Sequence, residues 1–75
     1  MAETLVVNTK NDSKGKVVDN IILFGNSNIE ELIMGKKITE ALDFIVSDSW
    51  EFKRLSSGQD ISTYSFWREE NLLRY

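Results

Sequence analysis

Trp67 and Arg68 are adjacent near the end of the chain, Arg54 lies upstream in "WEFKRL", and Tyr75 closes the sequence. Indole and guanidinium groups are enriched where proteins grip other molecules, and a guanidinium fork matches a carboxylate or phosphate with two parallel hydrogen bonds. These four residues are the candidate partner- or ligand-binding set. The remaining chemistry-bearing groups are carboxylates: Glu30, Glu31, Glu40, Asp43, Asp48 and Glu51 gather around one segment. Two close carboxylates can bind a divalent cation or share a proton. Glu40 and Asp43 fall on the polar side of that segment, however, where carboxylates are ordinarily solvated.

The sequence contains neither histidine nor cysteine. Disulfides, zinc sites built on thiolate or imidazole, and imidazole acid–base catalysis are therefore excluded. Serines and threonines are plentiful, but no lysine is placed to act as a substitute base. "NDSKGK" lacks the spacing of a phosphate-cradling loop and precedes a strand, so it reads as a hairpin turn. No catalytic, metal-ligating or cofactor-binding residue is assigned, and a non-enzymatic protein is expected.

Nine basic and twelve acidic residues give a formal charge of −3, with the acids scattered. Nucleic-acid binding depends on clustered lysine and arginine, so it is not expected. The start, "MAETLVVNTKND", reads as neither a signal peptide nor an anchor, and no apolar run approaches the roughly 20 residues of a spanning helix. No membrane partner is expected, and a cytoplasmic location is. The 75 residues allow one domain, 1–75. A chain of this size buries only about 60% of its unfolded surface, so self-association is the natural supplement to its core.

The elements that must position the candidate residues follow from periodicity. "TLVVNT" (Thr4–Thr9) alternates as a strand with Leu5 and Val7 on one face, "KNDSKGK" turns the chain, and "VVDNIILF" (Val17–Phe24) returns as a second strand. Ser27 and Glu30 fit a capping box, which points to a short helical turn closed by Gly35. From Lys36 to Asp48 the spacing of Ile38, Ala41, Leu42 and Ile45 predicts the main helix, with no glycine at its end for a left-handed cap. "WEFKRL" and "ISTYSFWR" alternate around the turn "SSGQD" as a second hairpin. Trp50, Phe52, Tyr64 and Phe66 are expected inward on the core, and Trp67 outward beside Thr63 and Ser65. The expectation is an α+β fold, a small antiparallel sheet in ββαββ order with one main helix packed on one face. "NLLRY" is expected to seek cover on the body or on a neighbour.

"ITEALDFIVSDSWEF" followed by "TYSFWRE" resembles a family of small bacterial domains of unknown function, in which a helix with an Ala-Leu-Asn-like signature leads into Gly-Trp-Glu. The family's final strand ends in aromatic and basic residues. Ala41, Leu42 and Asp43 match the helix signature, Trp50 and Glu51 the Trp-Glu pair, and Phe66 with Arg68 the strand end. The resemblance covers Ile38 to Glu69, with Ser49 at the family's glycine position. It implies a compact α+β fold and no activity.

The resulting expectation is a small interaction module, a dimer or higher oligomer of itself that also binds or inhibits another protein through its outer sheet face or an edge strand. The alternative is a protein that binds or sequesters a nucleotide-like anion through Arg54, Arg68 and Trp67. Some short phage-type accessory proteins that counter host defence work in one of these two ways, and the length of this chain is compatible with that setting.

Overall fold

The computed structural model describes residues 2–13, 15–58 and 60–69. Alternation of β-branched and polar residues gives two hairpins, β1 (Ala2–Asp12) with β2 (Gly15–Phe24), and β3 (Glu51–Ser57) with β4 (Ile61–Glu69). β1 also pairs antiparallel with β4, so the sheet order is β2-β1-β4-β3 and the first and last strands form its centre. Leu5 and Val7 are fully buried, as their spacing predicts.

The helical layer differs from the expected single main helix packed on one face. It consists of two short helices, α1 (Ile29–Ile33) and α2 (Ile38–Ser47). The reason lies in the side chains. α2 offers Ile38, Ala41 and Ile45 to the core, a stripe too narrow to cover a four-stranded sheet. α1 adds Ile29 and Ile33, both with no exposed surface, and a loop through Gly35 (φ +79°) joins the two helices. Their backbones approach β2 and each other.

Cover therefore fades across the sheet. On the helix-facing side, one row runs Leu23, Leu5, Phe66, Phe52 and the next Ile21, Val7, Tyr64, Leu55. Leu5, Val7, Ile21 and Phe66 are buried and Tyr64 is half-buried, whereas Phe52 and Leu55 are 57% and 50% exposed. Phe52 keeps an edge-to-face contact with Phe66, with ring centres 5.8 Å apart. Of the four aromatic residues expected in the core, Trp50 and Phe66 are there, while Phe52 lies beyond the reach of the helices.

α2 ends in a Schellman motif. The Trp50 N–H donates to the Ile45 carbonyl at 3.2 Å and the Ser49 N–H to that of Val46 at 3.0 Å. Ser49 takes the left-handed conformation, φ 67°, that glycine ordinarily supplies. No helix among the described residues is long and apolar enough to cross a membrane.

Candidate functional site

Strand alternation separates the candidate residues. Trp67 lies on the face of β4 opposite to Phe66, with Thr4 and Glu51 as its cross-strand neighbours, and is half-buried. Arg54, exposed, shares that outer face through its pairing with Ser65. Arg68 is on the other face, opposite Glu3. Tyr75 and the rest of "NLLRY" lie outside the described residues. The fold thus places Trp67 and Arg54 on one face of the sheet and Arg68 on the other, although Trp67 and Arg68 border a common cleft.

Arg68 is engaged inside the protein. Its Nε donates to Glu3 Oε1 at 2.5 Å, one terminal nitrogen to the Asp48 carbonyl and the other to the Asn26 carbonyl at 2.9 Å. The guanidinium lies over the Trp50 ring, 4.2 Å from its centre, and 3.3 Å from Asp48 Oδ2. The partners are held in turn. The Asn26 N–H donates to Glu3 Oε2 at 2.9 Å, and Asp48 Oδ2 accepts from the Ser27 hydroxyl at 2.6 Å and the Trp50 indole at 2.9 Å. Ser27 therefore does not close a capping box with Glu30; its oxygen accepts from the Ile29 N–H at 3.0 Å.

Both carboxyls ionise below their ordinary ranges. The hydrogen bond from the Asn26 backbone lowers Glu3 most, burial opposes it, and Arg68 lowers it further. Burial pushes Asp48 up, but the hydrogen bonds from Ser27 and Trp50 together with Arg68 outweigh it. This constellation joins β1, β4, the β2–α1 loop and the end of α2, and no buried side-chain polar atom among the described residues lacks a partner. It is a structural clasp with its hydrogen-bonding capacity turned inward.

The outer face of the sheet is different. Its rows run Phe24, Thr4, Trp67, Glu51, then Ile22, Val6, Ser65, Arg54, then Asn20, Asn8, Thr63, Ser56. The β1 and β4 positions in these rows carry no charge, and the Thr63 hydroxyl donates to Asn8 Oδ1 at 2.7 Å. Phe24 is 67% exposed and Ile22 43%, with Val6 and Trp67 half-buried between and beside them. An uncharged centre with aromatic residues and a polar rim is the composition of an interface core. Sequence reasoning identified Trp67 there and missed Phe24 and Ile22, although the alternation that sends Ile21 and Leu23 inward sends these two outward.

Beside Trp67 a cleft of about 190 Å³ is lined by Ser49, Glu51, Trp67, Arg68 and Glu69. Two carboxylates and one already-paired guanidinium make it a poor seat for an anion. The larger space, about 520 Å³, is lined by Ser27, Asn28, Glu30, Glu31 and Met34 along α1 and has no basic group. Among the described residues, no group of three or more acidic side chains is arranged to hold a metal ion. No family model, no curated protein and no solved structure matches the chain, so its function is read from the geometry above.

Proposed function

We propose that the protein is a small non-enzymatic interaction module, self-associating and able to bind or inhibit another protein, which meets its partners through the outer sheet face or an open edge strand. The observation that carries this reading is the outer sheet face, which no described element covers, where Phe24, Ile22, Val6 and Trp67 form an apolar area with an uncharged centre. The charged groups with the most developed geometry, Glu3, Arg68 and Asp48, satisfy one another, which favours binding over catalysis. In this reading the protein works in the cytoplasm, with which its cysteine-free sequence is compatible. The anion-binding alternative is the weaker proposal, because Arg54 is left as the one arginine of the proposed pair on the outer face.

Native mass spectrometry of gently purified protein tests the reading. The expected spectrum contains a bound polypeptide, either a second copy or another protein. Where that binding runs through the outer face, Phe24→Asp and Trp67→Ala are expected to abolish it while leaving the fold intact. A bare monomer whose behaviour is the same in all three proteins would sink the idea, and a reproducible small extra mass would move the ligand reading ahead of it.

A further inference from the structure

The outer face carries its apolar residues in two adjacent rows, with polar residues on either side. Phe24, Thr4, Trp67 and Glu51 form one row, and Ile22, Val6, Ser65 and Arg54 the next. Beyond the Ile22 row come Asn20, Asn8, Thr63 and Ser56, and beyond the Phe24 row come Ala2 and Glu69. A sheet with apolar side chains on both faces needs a layer on each, and both helices pack on the inner side with Leu5, Val7 and Phe66. Glu51 and Arg54 are exposed, and neither forms an ion pair among the described residues.

We infer that the second layer is the outer face of another copy of this chain, packed sheet on sheet about a twofold axis that runs across the strands between the Phe24 and Ile22 rows. Such a dimer rests on the self-associating module proposed above and assigns its surface and register. Stacked sheets lie about 10 Å apart with their strands nearly aligned. This axis lays the Phe24 row of each copy over the Ile22 row of the other. Phe24 then meets Ile22, Thr4 meets Val6, Trp67 stands over the small Ser65, and Glu51 reaches Arg54, each twice by symmetry. The flanking rows overlap as well, with Ala2 over Asn8 and Glu69 over Thr63, so both central strands engage along most of their length.

Charge and polarity select this register over its neighbours. An axis along the Phe24 row sets Glu51 over itself, and one along the Ile22 row sets Arg54 over itself, which like charges disfavour. An axis one row further lays Ile22 over Asn20 and forms no ion pair. An axis parallel to the strands lays β2 over β3, so that Phe24 meets Glu51 and Ile22 meets Arg54. The register between the two rows keeps the apolar residues at the centre and the polar rows at the rim, as interface cores require. A foreign partner would have to present this pattern, whereas a second copy has it by symmetry. The overlapping face is only roughly 19 Å by 20 Å, small beside the roughly 800 Å² per partner of a standard interface, so the dimer is weak and reversible.

Sedimentation velocity of the full chain, from micromolar to millimolar and at low salt, tests this arrangement. The expected result is a monomer–dimer equilibrium that Phe24→Asp abolishes. Glu51→Arg or Arg54→Glu is expected to weaken the dimer by about tenfold, because two rim pairs turn repulsive at once, and the double swap to restore it. β2 and β3 are opposite edges of the sheet, so a contact sensitive to both spans the outer face. Circular dichroism of each variant checks that these exposed substitutions leave the fold unchanged. A dimer that survives Phe24→Asp, or one that the double swap does not restore, overturns the inference. Loss of the dimer in Phe24→Asp with no response to either charge variant overturns it too, and leaves the self-associating reading standing. A monomer at every concentration also overturns it; a foreign polypeptide retained in the native mass spectrum would then keep the interaction-module reading, and its absence would end that reading as well.

Discussion

Arg68 stands directly opposite Glu3 across the β1–β4 seam, and its Nε donates to the Glu3 carboxylate at 2.5 Å. Both side chains are largely buried, at 17% and 8% exposed, so each charge depends mainly on the other and on its hydrogen bonds. Removing one partner of such a pair leaves the other uncompensated, at a cost of about 3–5 kcal/mol. Arg68→Ala is expected to lose that much in urea unfolding, a large share of a small domain's stability. Arg68→Lys should recover little of it, because a point charge cannot replace a fork that reaches Glu3, Asn26 and Asp48 together. Full recovery by lysine would show that charge alone matters.

The clasp also sets the acid limit of the fold. Glu3 and Asp48 have folded-state pKa values below their ordinary ones, so the unfolded chain binds more protons. Their stabilisation is complete above the ordinary carboxylate range and is lost as the pH falls through the depressed native values. The melting temperature should hold nearly level down to about pH 5 and drop steeply below about pH 4. Glu3→Gln should start lower and fall less steeply. An unchanged acid slope in that variant would remove Glu3 from the linkage.

Gly25 is required by the same clasp. A Cβ there would lie 2.8 Å from each of three Glu3 side-chain carbons, at a φ of +151° that other residues rarely adopt. Gly25→Ala is expected to cost about 1–3 kcal/mol. An alanine variant as stable as the parent in the same urea titration would mean that Glu3 can move aside freely.

Ser49 gives a prediction of opposite sign. It is the one described residue other than glycine with a positive φ, and a left-handed conformation costs an L-residue about 1–2 kcal/mol. Ser49→Gly should therefore stabilise the protein by about 1 kcal/mol, read as a higher denaturation midpoint with an unchanged slope. No gain would mean that the serine is compensated by contacts of its own.

The strands and both hairpins were legible because two-residue alternation is a strong local signal, as Leu5 and Val7 illustrate. The short helical turn closed by Gly35 was legible as well and is α1; its share of the core was not, because five residues show too little of a helical period to predict that Ile29 and Ile33 fill the core as completely as Ile45 does. Arg68 adjoins Trp67 in sequence, which suggests one binding set, but neighbours on a strand face opposite ways. Alternation from Leu5 sends Glu3 inward, and alternation from Phe66 sends Arg68 inward. The pairing of β1 with β4 that makes them meet has no local signature.

That pairing also governs how the chain reaches its native state. The central seam joins strands from opposite ends of the described sequence, so neither hairpin is a finished half that the other merely joins. Loop closure across nearly the whole domain must precede the contacts that reward it, which places the chain among slow, high-contact-order folders for its size. During synthesis β1 and β2 emerge first, and β1 waits with the edge that β4 will pair left open. In the cell, the vulnerable interval of this molecule is that wait.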